Sequence, residues 1–189
     1  MIKTSTYHQT QKEIKAEQTV IEIAKKSPQH FEELYNKYHE QIFYFVFNRT
    51  NDEHVSHDIT SQVFLSAMLN LYRYQFKGVP FSSWLYRIAL NECNKYFNQN
   101  KSMRNTNVDT NDLKHLTEEL EQKDNEENIQ QLLNALSKIN EETLQIIELR
   151  YFEQLSFKEI GEIVEITENN AKVRLYRALD KLKSIILNP

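Results

Sequence analysis

Little in this 189-residue sequence can turn a chain sharply, since it holds two glycines and three prolines. A sheet protein built on tight turns needs more of both. The dominant Glu, Lys, Gln, Leu, Ile and Asn include most of the good helix formers, so the expected fold class is all-α. The single cysteine, Cys93, excludes an intrachain disulfide. The six histidines form no Cys-x-x-Cys or His-x-x-x-His pair, so neither a metal site nor a cofactor is expected. No apolar run approaches the roughly 18 residues of a membrane span. The polar opening MIKTSTYHQTQKEIK lacks a signal peptide's apolar core, so a soluble, cytoplasmic protein without membrane insertion is expected.

Positive charge is also short: the net charge is -4, which argues against a nucleic-acid binder until it is divided along the chain. Leu71 to Arg104 carries six Lys/Arg against one acid, +5, whereas Lys101 to Gln130 carries four against eight, -4. The acidity therefore sits in a polar stretch between two less acidic blocks. The first block has helical periodicity, with Phe31, Leu34, Tyr35, Tyr38, Ile42 and Phe45 or Val46 on one stripe. A second helix is expected from about Glu53 to Tyr74, with Val55, Ile59, Val63, Phe64, Ala67, Leu69 and Leu71 apolar. The break Lys77-Gly78-Val79-Pro80 ends it, and a third helix runs from Phe81 or Ser82 to about Gln99. Between Asn100 and Glu127 only Leu113, Leu116 and Leu120 offer anything to bury, which reads as a linker with partial helix. A compact three- or four-helix unit then follows from near Ile129.

The motif SFKEIGEIVEITENNAKVRLYRALDKLK divides into a short helix, a turn and a basic helix. Ser156 and Glu159 fit a capping box, small Gly161 permits a close helix crossing, and Thr167 can cap the second helix. Ala171, Leu175, Ala178, Leu179 and Leu182 make a buried stripe. Asn170, Arg174, Arg177 and Lys181 line up on another face, near Asn169, Lys172 and Val173. Asn can pair with adenine, Arg with guanine or phosphate, and Val can meet a thymine methyl. A charge stripe alone reads as a solvated face; the cap, the small residue and the turn spacing together favour DNA.

Residues 132–182 resemble domain 4 of sigma-70-family factors, especially the extracytoplasmic-function group, with KVRLYRALDKLK as the family's recurring end. The resemblance implies that Asn169, Asn170, Lys172, Val173, Arg174 and Arg177 contact the minus-35 element. Two departures stand out. Glu165 occupies a turn position often filled by glycine, where a side chain accepts a left-handed backbone at a cost of about 1 kcal/mol. Asn169-Asn170 replaces a common Gly-Thr pair.

The stretch Leu71 to Arg104 interleaves eight of the chain's 21 aromatic residues with six basic ones. Flat rings stack on unpaired bases and cations follow phosphates, although Phe81, Trp84, Leu85, Ile88 and Ala89 would equally form a core stripe. PFSSWLYRIALNECNKYF resembles the part of sigma domain 2 that opens the minus-10 element, in a match running from about Phe31 to Arg104. By that resemblance Phe81, Trp84, Arg87, Asn91, Lys95 and Tyr96 belong to the minus-10 surface, and the Gly78 to Phe81 loop receives an extruded base. The family commonly has an acid where Lys95 stands and a base where Asn98 stands. The second helix resembles the surface that grips the polymerase β′ clamp, implying that Asp58, Gln62 and Phe64 bind core polymerase; His57 and Ser61 depart from a usual Glu and Gln. Without the resemblance, Asp58 reads as a solvated helix acid.

The implied organisation is an N-terminal extension (1–26), sigma domain 2 (27–100), an acidic linker (101–127) and sigma domain 4 (128–189). The implied function is a transcription initiation factor that performs no chemistry. Its implied partners are core RNA polymerase through the β′ clamp and β flap, promoter DNA and, by family analogy, an anti-sigma factor. Two other functional classes fit the sequence less well. A dimeric helix-turn-helix regulator needs no base-stacking platform. An enzyme using Glu118, Glu119, Glu126 and Glu127 would have to build a pocket in a polar linker.

Overall fold

The computed structural model describes residues 9–100, 113, 116–117, 120 and 126–187, with backbone only for 126–128 and 187. Every regular element among the described residues is helical. The described residues divide into two compact units, one made of residues 9–100 and the other of the described residues from 113 to 187.

The first unit starts with α1, Gln11–Lys26. Thr10 opens it with a full capping box: its hydroxyl accepts from the Glu13 N–H at 3.3 Å, and the Glu13 carboxylate accepts from the Thr10 N–H at 2.6 Å. Those bonds favour the ionised carboxylate and hold the Glu13 pKa below its ordinary value. Ile14, Glu17, Ile21 and Ala24 recur at helical spacing and are all buried. Residues 11–26, read from sequence as an extension, thus form a helix of this unit that packs on α2. A carboxylate in the middle of the buried stripe had disguised its apolar period. Pro28–His30 then make a single 3-10 turn.

α2 (Phe31–Thr50) and α3 (Glu53–Asn70) are joined by a two-residue corner in which Asn51 takes a left-handed φ of 52° and Asp52 caps the Val55 N–H at 3.0 Å. α4 is Phe81–Asn100. It packs on both, and Ile42, Val46, Val63, Ala67, Leu85 and Ala89 between them are wholly or almost wholly buried. Burying such a side chain fully contributes about 1.5–3 kcal/mol. The Phe45 and Tyr86 rings meet edge-on at 4.8 Å, and the Tyr86 hydroxyl accepts from Gln41 at 3.0 Å.

Two expected core positions are exposed instead: Tyr35, and Leu69 at 62%. Leu69 lies near the end of α3, which stops at Asn70 where the sequence reading carried it to Tyr74; a 3-10 turn, Leu71–Arg73, follows.

The second unit contains α5 (Glu126–Ser137), α6 (Glu141–Ile147), α7 (Phe157–Ile163) and α8 (Glu168–Leu187). Between α6 and α7 the helix widens into a π turn, Glu148–Phe152, before Gln154 at φ 55° ends it. Leu132, Leu136, Leu144, Ile147, Leu149, Ile160 and Leu182 are buried here, as are Leu113, Leu116 and Leu120. The expected linker otherwise lies largely outside the described residues, and so do Glu118, Glu119 and the side chains of Glu126 and Glu127. No helix among the described residues is long and apolar enough to cross a membrane.

Candidate nucleic-acid interface

The second unit presents the simpler surface. Ser156 and Glu159 form the expected capping box: the carboxylate accepts from the Ser156 N–H at 2.9 Å and the hydroxyl accepts from the Glu159 N–H at 3.3 Å. α7 ends in a Schellman closure, the Ile166 N–H bonding back to the Gly161 carbonyl at 2.9 Å. Glu165 supplies the left-handed residue, φ 57°, as its departure from glycine suggested. A Cβ at Gly161 would lie 2.8 Å from the Ile166 carbonyl oxygen and 3.2 Å from the Glu168 nitrogen, so only glycine admits the turn this closely. Thr167 then caps α8, accepting from the Asn170 N–H at 3.2 Å.

With both ends of the turn set, the rotation of α8 is set too. Ala171, Leu175, Ala178, Leu179 and Leu182 are all buried. Asn169, Asn170, Lys172, Val173, Arg174 and Arg177 are all exposed. At 100° per residue Val173 lies opposite the buried stripe, with the Arg174 and Arg177 edge to one side. Tyr176, 50% exposed, belongs to the same face and was missed in the sequence, although its i+3 spacing from Val173 placed it there.

The first unit is more mixed. Trp84, Arg87, Asn91 and Lys95 share one face of α4, graded from half-buried Trp84 and Arg87 to exposed Asn91 and Lys95. Lys95 reaches Glu92 at 3.5 Å. Tyr96 lies about a third of a turn away beside Phe97. Phe81 corrects the sequence reading: it is completely buried, its ring 6.0 Å from Tyr38, 5.1 Å from Tyr74 and 5.4 Å from Trp84, so it has no surface to offer a base. It supports Trp84 instead. Tyr72, 64% exposed with the Arg73 guanidinium 5.1 Å from its ring, is an accessible aromatic that the sequence did not single out.

On α3, Asp58 and Gln62 are exposed one turn apart. Phe64 again differs from expectation: it is buried against Phe31, Tyr35 and His39 at 6.4, 4.9 and 5.9 Å, so it backs the surface without forming it. The apolar face is made by Leu65, Met68, Leu69 and Tyr72, which with Asp58 and Gln62 follow one helical stripe. Phe31, Tyr35, Phe64, Leu65 and Met68 also line an open groove of about 470 Å³. Beside it, partial burial and nearby His57 hold the His39 pKa below its ordinary value of 6.5.

Two family models match the chain in order: "Sigma-70 region 2" over residues 34–103 and "Sigma-70, region 4" over residues 129–182. Among curated proteins, the chain is similar to the ECF RNA polymerase sigma factor SigM of Bacillus subtilis, 24% identical over 156 residues, covering 82% of this chain and 93% of SigM. It is also similar to SigW of that organism, 23% identical over 184 residues, covering 90% of this chain and 96% of SigW. Among solved structures, CnrH in complex with the cytosolic domain of CnrY shares the fold, with a TM-score of 0.59 at 16% identity over 89% of this chain and 95% of that one. With both regions present in order and sigma factors as relatives across most of its length, the chain belongs to the sigma-70 family, in its extracytoplasmic-function group, and is a non-enzymatic transcription initiation factor that directs RNA polymerase to specific promoters.

Proposed function

We propose that the two units are sigma domains 2 and 4, with α1 added to the first, and that they divide promoter recognition between them. α8 reads the minus-35 duplex through Asn169, Asn170, Lys172, Val173, Arg174 and Arg177. Trp84, Arg87, Asn91, Lys95 and Tyr96 hold the minus-10 single strand, and the loop before α4 takes an extruded base. Capture of unstacked bases offsets unstacking that costs a few kcal/mol, while core polymerase supplies the catalytic centre. The α3 face around Asp58 and Gln62 docks on the β′ clamp, domain 4 meets the β flap, and the protein works in the cytoplasm. CnrH is bound to a cytosolic domain of CnrY; an anti-sigma factor is proposed as this chain's corresponding partner. The observation that carries the reading is the α8 surface: six side chains suited to base and phosphate chemistry, all exposed outside the buried stripe, with Val173 opposite it.

The test is transcription in vitro with core polymerase on candidate promoters from the chain's own genomic neighbourhood. Promoter-dependent initiation is expected, and its absence on every template defeats the proposal. Arg174→Ala and Arg177→Ala should each weaken initiation by about tenfold or more, the scale of a lost bidentate base contact. Unchanged promoter use in both variants would show that the face is misassigned.

A further inference from the structure

The Gly78 to Phe81 loop proposed to take the extruded base is the end of a longer connection that starts at Tyr74, and α1 holds this connection at both shoulders. At its start the Lys25 ammonium donates to the Tyr74 carbonyl at 2.9 Å. At its end the Glu17 carboxylate accepts from the Phe81 N–H at 2.9 Å, across 64 positions of sequence. That N–H belongs to the first turn of α4, where helix donors lack partners within the helix and the dipole favours negative charge. Glu17 is only 6% exposed and gathers two more donors, the Tyr38 hydroxyl and the Lys37 ammonium, the latter at 2.6 Å. Gln9 bonds the Tyr38 hydroxyl in turn, at 2.6 Å.

Burying a carboxylate costs several kcal/mol before its partners are counted, and an apolar side chain would fill the same space without that cost. What the carboxylate adds is direction. It fixes where α4 begins, while Tyr74, Phe81 and Trp84, with ring centroids 5.1–5.4 Å apart, fix how the loop's ends close. Between those ends lie Gly78, at φ 71°, and Pro80.

We infer that α1 is a splint for base capture: Glu17 and Lys25 are positioning residues that hold both ends of the connection from Tyr74 to Phe81 in place, and with them the base-receiving loop, before DNA arrives. A loop ordered in advance spends less of the captured base's binding energy on its own ordering. The inference rests on the proposed minus-10 reading, and the two fail differently in the following experiment.

Holoenzyme is assembled from core polymerase and the full chain, as wild type, Glu17→Gln or Lys25→Met. Binding is measured on fork templates whose minus-10 strand is intact or carries one abasic residue at each position in turn. Wild type should lose about tenfold at one position, the scale of one stacked base. Both variants should bind the intact template more weakly, Glu17→Gln by about tenfold, the scale of a hydrogen bond to a charged group. Both should lose markedly less than wild type at the sensitive abasic position, while their affinity for core polymerase stays unchanged. If wild type has a sensitive position but the variants lose a full further tenfold there, or bind the intact template normally, the splint is overturned and base capture stands. If wild type is sensitive nowhere, base capture itself fails and the splint falls with it. Should Glu17→Gln lose its helical circular dichroism, Lys25→Met, at a partly exposed side chain, decides the matter alone.

Discussion

The two helices proposed to meet DNA begin in opposite ways. α8 is started by Thr167, three residues from the N–H it caps, after a turn closed within Gly161–Ile166. α4 is started by Glu17, 64 residues away on another helix. One surface is therefore assembled by its own sequence neighbourhood, and the other exists only when a distant helix is docked. Local assembly makes a module that tolerates change elsewhere in the chain. Remote assembly ties the loop before α4 to the integrity of a whole bundle.

The contrast is broken most severely by Glu17→Ala, which strips partners from the buried Tyr38 hydroxyl and the Phe81 N–H. Each group left unsatisfied costs about 1–3 kcal/mol, so a loss of about 3 kcal/mol is expected. Hydrogen exchange should accelerate across α1 and the first turn of α4 and stay unchanged in α7 and α8; equal acceleration in both units would erase the distinction. Gly161→Ala strikes the local turn. A methyl 2.8 Å from a backbone oxygen forces the turn apart at a cost of about 1–3 kcal/mol. Minus-35 duplex binding should fall while exchange in α1 to α4 remains as in wild type. Glu165→Gly sharpens the contrast from the stabilising side: relieving the left-handed glutamate should stabilise the second unit by about 1 kcal/mol, read as a higher denaturant midpoint. The smallest effect is a pH response confined to the first unit. His39 has a lowered folded pKa, so the unfolded chain binds more protons than the folded one between that value and 6.5. Stability of the first unit should fall as pH drops through this window and level off below it, and His39→Gln should flatten the slope.

The same contrast explains what was legible in the sequence. The Ser156–Glu159 box, the small Gly161, the Thr167 cap and the stripe from Ala171 to Leu182 are short-range patterns, each readable within a few residues. Even the left-handed backbone at Glu165 was foreshadowed by a family position that favours glycine. α1 was not legible as part of a bundle, because its buried stripe includes a glutamate whose reason is three donors on other parts of the fold. Phe81 and Phe64, contacts by the sequence pattern, are core, while Leu69, apolar and on the expected stripe, lies outside. Periodicity fixes the rotation of a helix to within about one residue, and at the edge of an apolar stripe one residue separates inside from outside.

Trp84 is the chain's one tryptophan, and it stands half-buried with Tyr74 and Phe81 behind it. Its indole therefore gives the protein a built-in optical reporter at a single address. Selective red-edge excitation isolates emission from the mouth of the proposed base-capture loop, with the ten tyrosines of the chain left dark. A nucleobase stacking there would quench that emission, so strand capture can be followed in real time without attaching any dye.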